Sequence, residues 1–154
     1  MTVQTRTFNQ KNINTTIKSL ILTIALVFTS LFGFSQDTGV TITVTIDNVK
    51  NNTGKVSFAL HTKDSFMKGP GVLNTETKIK DGKVEVTFKN VKPGNYAIMA
   101  LHDMNENNRM DFRENGMPLE DYGMSNNVMS FGPPQYNDAK FTVAKTDIKL
   151  NIRF

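Results

Sequence analysis

Alternation between apolar and polar residues begins at Val40 and predicts that the first half of the chain forms β-strands. From Val40 to Ile46, Val or Ile at every second position alternates with threonine, which places all the aliphatic side chains on one face of a strand. A turn at residues 50–54 precedes a second alternating run that ends at His61. We expect these two strands to pair as a hairpin.

Two further turn signals divide the next part of the chain. Asp81-Gly82 separates the runs 76–80 and 83–89, and this pair of residues suits a type I′ turn because both positions need a positive φ. Pro93-Gly94 predicts a type II turn that leads into residues 96–101. That run is apolar on both faces, so we expect it to be a central strand.

The remaining strands close the domain, and residues 102–138 stand apart from them. Alternation returns at residues 139–143 and 148–154, whereas residues 102–138 are rich in Asn, Gly, Pro and Met without any period. A loop of that length in a compact domain is usually functional or stabilised by an ion.

These patterns predict the fold class. No stretch of ten or more residues in the mature chain shows helical periodicity, so we expect an all-β domain, a single antiparallel two-sheet sandwich of about seven strands with an Ig-like layout. The predicted core consists of Val44, Phe58, Val86, Ile98, Phe141 and Leu150.

The N-terminal segment has the organisation of a cleavable signal peptide. Arg6, Lys11 and Lys18 precede an uncharged apolar run over residues 19–32, and Gly33 and Ser35 supply the small residues that signal cleavage requires. We therefore predict a signal peptide over 1–35 and one β-sandwich domain over 36–154 of an exported bacterial protein, periplasmic or secreted. The alternative is an uncleaved anchor, although the apolar run is shorter than a usual membrane span.

Charge and cysteine content narrow the possible partners. Three of the eighteen basic residues precede the predicted cleavage site, which leaves the mature chain a net charge of about +1. The remaining lysines are scattered and form no basic stripe, so nucleic acid is not an expected partner. The chain has no cysteine, which excludes disulfides, thiol catalysis and the lipid-acceptor cysteine of a lipoprotein.

One part of the long loop has the spacing of a calcium-binding loop. Calcium loops of twelve residues take oxygens from positions 1, 3, 5, 7, 9 and 12, because alternate side chains of a tightly curled backbone turn inward. Position 6, usually Gly, is Asn108, a residue that tolerates the left-handed conformation. The spacing predicts a Ca²⁺ site formed by Asp103, Asn105, Asn107, the carbonyl of Arg109, Asp111 and Glu114.

A simpler interpretation of the same residues stays open. An Asn-rich stretch at the end of a strand can form Asx turns, with its carboxylates paired to Arg109 and Arg113 and no ion bound. His61 and His102 also end predicted strands and could form a transition-metal site with Asp103, although histidines at strand ends are commonly surface residues. Ser125 lacks the G-x-S-x-G elbow and an assigned base, so a turn serine is expected.

An ordered series of motifs resembles a known family. The series consists of Pro93-Gly94-x-Tyr96, His102-Asp103-x-Asn105-x-Asn107-x-x-Met110-Asp111, Gly116-x-Pro118-x-Glu120-x-Tyr122-Gly-x-Ser125-Asn126-Asn127, Phe131-Gly-Pro-Pro134 and Ala139-x-Phe141. These motifs resemble the secreted bacterial family called domain of unknown function 2141, which implies export without an assigned activity. The Pro-Gly-x-Tyr turn is also similar to transthyretin-like and carboxypeptidase-regulatory-like sandwiches. Asn108 departs from the family pattern, where Gly is usual, and Glu114 lies outside that pattern.

Two functions of different classes are compatible with these observations. The first is a non-enzymatic exported module that binds an envelope or extracellular protein or glycan through the calcium-stabilised loop, because such scaffolds carry recognition on irregular segments. The second is a hydrolase or other enzyme that acts from the same loop with His102, Asp103 and Glu120. A cluster of these three side chains in a concave pocket would favour the enzyme, and their dispersal would favour the module.

Overall fold

The computed structural model describes residues 39–129 and 132–154 of the chain. The predicted signal peptide, residues 1–35, and its cleavage site lie outside the described residues. Within those residues, no helix combines the length and the apolar character that crossing a membrane requires. The described elements are strands β1 (Val40–Ile46), β2 (Lys55–His61), β3 (Leu73–Lys78), β4 (Val84–Val91), β5 (Gly94–Asp103), β6 (Tyr122–Met124), β7 (Phe141–Val143) and β8 (Ile148–Asn151), a 3₁₀ turn (Ser125–Asn127) and a short helix α1 (Tyr136–Ala139).

The strands form two sheets. One sheet has the order β4-β1-β8, and the other has the order β3-β2-β5-β6, with β7 also paired to β5. The prediction of an all-β chain with two sheets is confirmed. The prediction that all strands pair antiparallel is wrong, because β1 and β8 run parallel. These two strands are far apart in sequence, so no short turn forces them into opposite directions.

The predicted hairpin of the first two strands does not form. β1 pairs with β4, whereas β2 pairs with β3 and β5 in the other sheet. The linker of eight residues between β1 and β2 is long enough to cross from one sheet to the other. The turn at Asp81-Gly82 does form, with φ of 52° and 71° and a bridge between Lys80 and Lys83, but the strands that flank it enter different sheets.

The two sheets share one hydrophobic core. Alternate residues of β1 are buried, and they pack in one cluster with residues of β2, β4 and β5. Of the predicted core residues, Val44, Phe58, Val86 and Ile98 are buried, whereas Phe141 and Leu150 are only partly buried at its margin. Both lie on short strands, and in β7 Val143 is the buried residue instead.

β5 is a central strand, as its sequence predicts. β2 pairs along one side of β5, while β6 and β7 pair along the other. A second, smaller core of Phe66, Ala97, Met124 and Ala139 forms beside the main one. β5 therefore contributes residues to both the main core and the small core. Its last residue, Asp103, begins the long loop.

Candidate functional site

Asp103 ends β5 and closes the loop that follows it. Its carboxylate is fully buried, Oδ1 accepts the N–H of Asn107 at 3.0 Å, and Oδ2 accepts the N–H of Asn108 at 2.8 Å. Glu106 and Asn108 adopt φ of 59° and 63°, which curls the backbone so that these N–H groups point back to the carboxylate. We use the name recognition loop for residues 103–129.

The recognition loop contains two overlapping Asx turns. The side-chain oxygen of Asn105 accepts the N–H of Asn107 at 3.2 Å, and that of Asn107 accepts the N–H of Arg109 at 3.0 Å. Both amide Nδ2 groups then donate to Oδ2 of Asp111, at 2.7 and 2.8 Å. The structure therefore brings four of the predicted ligand residues together, with Asp111 receiving both amides.

Glu120, which the twelve-residue spacing does not select, folds back onto the start of the loop. Glu120 is buried, its Oε1 accepts the N–H of Met104 at 2.9 Å, and its Oε2 accepts the N–H of Asp111 at 3.2 Å. Glu114 lies in an exposed turn away from the other predicted ligands. A pattern of twelve residues selects Glu114 by position alone, and no local signal in the sequence shows that Glu120 folds back onto the start of the loop.

The arrangement of oxygens fits a calcium ion only in part. Asn105 and Asn107 turn N–H groups, not oxygens, toward Asp111, so both amides must rotate before their oxygens can face a cation there. The Arg109 side chain extends into solvent, with Nε 3.5 Å from Oδ1 of Asp111. In the part of the chain that the structure describes, no three His, Cys, Asp or Glu residues cluster closely enough to hold a metal ion.

Two lysines tie the recognition loop to the five-stranded sheet. The Lys55 ammonium on β2 lies 2.7 Å from both Oε2 of Glu76 and Oδ1 of Asn108, and Lys78 pairs with Glu106 at 2.9 Å. The hydrogen bond to Glu76 raises the pKa of Lys55, and the negative charge of Asp103 adds to this effect. The hydrogen bond to Lys78 lowers the pKa of Glu106. Lys55 therefore remains charged next to the loop at neutral pH.

Gly54 explains how the loop fits against the start of β2. Its φ is 73°, and a Cβ at this position would lie 2.2 Å from the carbonyl oxygen of Asp103. Any side chain would therefore push the end of β5 away from β2.

The outer part of the recognition loop is a small hairpin, which we call the finger (residues 111–119). Leu119 N–H donates to the Asp111 carbonyl, Arg113 N–H donates to the Met117 carbonyl, and Phe112 bridges to Pro118. Its large apolar side chains project into solvent, with Phe112 59% exposed, Met117 60% and Leu119 49%. Of the described residues, the other exposed large apolar side chains of the recognition loop are Tyr122, Val128 and Met129. The finger thus combines ordered backbone hydrogen bonds with an exposed apolar surface.

A comparison with protein families identifies the family to which the chain belongs. A family model described as "Uncharacterized protein conserved in bacteria (DUF2141)" matches residues 44–151, which is more than half of the chain. The chain belongs to this family. The match confirms the resemblance that the sequence motifs indicate. No curated protein and no solved structure matches the chain.

His102 of this DUF2141 chain faces away from the recognition loop. Successive side chains of a strand alternate between faces, so His102 lies on the face opposite to Asp103, where it is fully buried and stacks on Phe154. Its Nε2–H donates to the Thr53 carbonyl at 2.8 Å, and among the described residues its Nδ1 has no hydrogen-bond partner. His61 pairs with Ala97, five strand residues from His102, or about 17 Å. The two histidines therefore do not meet at one metal site.

Ser125 of this DUF2141 chain is a buried structural residue. Its hydroxyl accepts the N–H of Ile98 at 3.0 Å and donates to the Ala139 carbonyl. These bonds join the 3₁₀ turn, β5 and α1, as the interpretation of a turn serine predicts.

Proposed function

We propose that this DUF2141 chain is an exported, non-enzymatic module that binds an envelope or extracellular protein or glycan through the recognition loop. The observation that carries the proposal is the finger, where large apolar side chains stand exposed on an ordered backbone. Phe112 pairs with Pro118, so Met117 and Leu119 share the opposite face of the hairpin. Contiguous exposed apolar surface on a folded domain often marks an interaction site. A surface that is already ordered before binding also loses less conformational entropy when a partner binds.

The pattern of the first 35 residues supports export in this proposal, to the periplasm or beyond the cell. The finer fold is part of the same proposal: the two sheets pack face to face as a transthyretin- or Ig-like sandwich, to which β8 adds one parallel pairing. Support comes from the single core cluster, to which both sheets contribute.

Calcium is the second part of the proposal. Asp103, Asn105, Asn107, Asp111 and the carbonyl of Arg109 are its ligands, and Glu114 is the sixth by spacing alone. The convergence of two amide side chains on Asp111 supports this assignment, and rotation of these amides would exchange their hydrogen bonds for ion contacts. The bound ion would hold the loop in shape and neutralise its carboxylates.

The contacts of His102, Asp103 and Glu120, the residues of the alternative enzyme hypothesis, favour a binding module over a hydrolase. Nε2 of His102 and the carboxylates of Asp103 and Glu120 form hydrogen bonds to the backbone, and all three side chains are buried. His102 and Asp103 also lie on opposite faces of β5. A nucleophile, base and orienting group that act together need mutual contacts, which these three residues do not make.

Binding to a cell-envelope fraction tests whether the finger is the interaction surface. The mature protein is cosedimented with envelopes of a bacterium that produces this protein. The finger variant Met117→Ser/Leu119→Ser is compared with the control Val72→Ser. Val72 is 51% exposed and lies outside the recognition loop. We expect the finger variant to bind at least about tenfold more weakly, because tenfold corresponds to about 1.4 kcal/mol and two buried apolar side chains supply that much.

The control separates a specific surface from general stickiness. Val72→Ser should bind like the wild-type protein, and protease treatment of the envelopes separates a protein partner from a glycan. Equal binding of the wild-type protein and the finger variant would contradict the proposal, and so would an equal loss in the control.

A further inference from the structure

A groove lies at the end of the five-stranded sheet that is opposite to Asp103, where the recognition loop begins. In the pairing of β2 with β5, Lys55 stands opposite Asp103 at one end, and His61 stands opposite Ala97 at the other. The two ends are separated by six strand residues, or about 20 Å. The loop that follows His61 and the segment that contains α1 form the walls of the groove at this second end.

The groove has the size and the charge of a small-ligand site. Its volume is about 390 Å³, within the range of roughly 300–1,000 Å³ that is typical of such sites. Its lining includes two lysines and no acidic residue. Asp64 is close enough to act on Tyr136, but the two lysines outnumber it, so the charge of the groove complements an anion. The lining consists of Lys63, Phe66, Met67, Lys68, Pro133, Pro134, Gln135, Tyr136 and Asn137.

Aromatic contacts make the floor of the groove rigid. Phe66 is buried and meets His61 and Tyr136 edge-to-face, with ring centroids 5.7 and 5.8 Å apart. The Tyr136 hydroxyl donates to the Asn95 carbonyl at 2.9 Å, while burial and, to a smaller extent, the charge of Asp64 raise the pKa of Tyr136. Burial lowers the pKa of His61, and its Nδ1 lies 3.3 Å from Ser65 Oγ. The floor is therefore formed before any ligand arrives.

Met67 stands at the rim in a strained conformation. Its φ is 56°, a conformation that a long side chain rarely adopts, and the side chain is more than half exposed. Backbone strain of this kind costs roughly 1–3 kcal/mol and is concentrated at functional sites. The hydrogen bonds Phe66 N–H to the Thr62 carbonyl and Lys68 N–H to the Ser65 carbonyl hold the turn on both sides of Met67.

We propose that this groove binds an acidic sugar, a uronate unit of an anionic polysaccharide. The ring of Tyr136 and the flat faces of Pro133 and Pro134 suit the C–H faces of a sugar ring. Gln135 and Asn137 supply amides for hydroxyl groups, and Lys63 and Lys68 supply cations for the carboxylate. An extended acidic peptide fits less well, because two consecutive prolines in the wall have no N–H to pair with its backbone.

Calorimetry with trigalacturonate as the probe tests the inference on the mature protein. We expect binding that weakens as salt is raised, because a carboxylate–lysine attraction at a surface is screened. The variant Lys63→Gln/Lys68→Gln should lose at least about tenfold in affinity. The matched control Lys80→Gln/Lys149→Gln removes two exposed lysines outside the groove and should bind like the wild-type protein.

Three results would overturn the inference: no binding of trigalacturonate, equal binding of its neutral methyl ester, or tighter binding of a glutamate-rich peptide. An equal loss in the control variant would also overturn it, because general charge would then account for the binding. The finger variant Met117→Ser/Leu119→Ser should bind trigalacturonate like the wild-type protein. The failure of either proposal can therefore be recognised separately from that of the other.

Discussion

Two buried carboxylates determine the path of the recognition loop at the scale of single residues. Asp103 and Glu120 each accept two backbone N–H groups. Within the described residues these N–H groups have no strand partner, so the carboxylates satisfy them instead. Hydrogen bonds to a charged group contribute about 1.5–3 kcal/mol each, and a buried N–H without a partner is costly. Lys55 adds a positive charge beside the start of the loop.

We predict that Glu120→Gln lowers the free energy of unfolding by roughly 1.5–3 kcal/mol. The substituted side chain keeps one acceptor oxygen. Its NH₂ group faces a backbone N–H, so two donors meet and that N–H loses its acceptor. Urea denaturation measures the change. The control is Glu114→Gln, which lies in an exposed turn and should change stability by less than about 0.5 kcal/mol. Equal effects of both variants would show that Glu120 is not a buried anchor.

At the scale of elements, alternation predicts strands well and strand partners poorly. The bounds of β1 and the turn at Asp81-Gly82 follow from local patterns, which report burial and turn geometry. The crossing from β1 to β2 and the parallel pairing of β1 with β8 depend on long-range packing, which no local window contains. Residues 102–138 also form β6 and α1, which are too short to show a period.

Local patterns also predict only the local part of the site, because long-range contacts lie outside any short window. The Asx residues that the spacing selects, Asp103, Asn105, Asn107 and Asp111, lie in one hydrogen-bonded curl, because a tight curl depends on local backbone preferences. The spacing does not determine which atoms of the two amides face Asp111. It also misses Glu120, which reaches the loop only when the finger folds back.

The proposed calcium site gives a stability prediction for the recognition loop as an element. An ion that binds the folded state alone adds RT ln(1 + [Ca²⁺]/Kd), about 1.4 kcal/mol at a tenfold excess over Kd. For a domain of this size the melting temperature should rise by roughly 4–8 °C in calcium but not in magnesium, which resists dehydration. Differential scanning calorimetry in calcium and in chelator measures the shift.

Single substitutions of the proposed ligands test where the calcium ion binds. Asp103→Ala and Asp111→Ala should each abolish the shift, whereas Glu114→Ala should largely keep it, because Glu114 lies away from the other ligands. An identical melting temperature in millimolar calcium and in chelator would mean that the loop is closed by its Asx turns alone.

At the scale of the whole described domain, two sheets with one core separate two surfaces. The recognition loop follows one end of the β2–β5 pair, and the aromatic groove lies at the other. Substitutions at sites more than about 10 Å apart that share no partners have nearly independent effects, so we expect changes in the finger and changes in the groove to act separately. Under both proposals, the domain would bind two different components at once.

Amide hydrogen exchange of the mature protein tests most directly whether the recognition loop is a preformed surface. The N–H groups of Asn107 and Asn108, bound to Asp103, and those of Met104 and Asp111, bound to Glu120, should exchange at least about a hundredfold more slowly than in an unstructured peptide. In Asp103→Ala the protection of Asn107 and Asn108 should disappear, while Phe58 in the core stays protected. Exchange of these four amides at the unstructured rate in the wild-type protein would contradict the account.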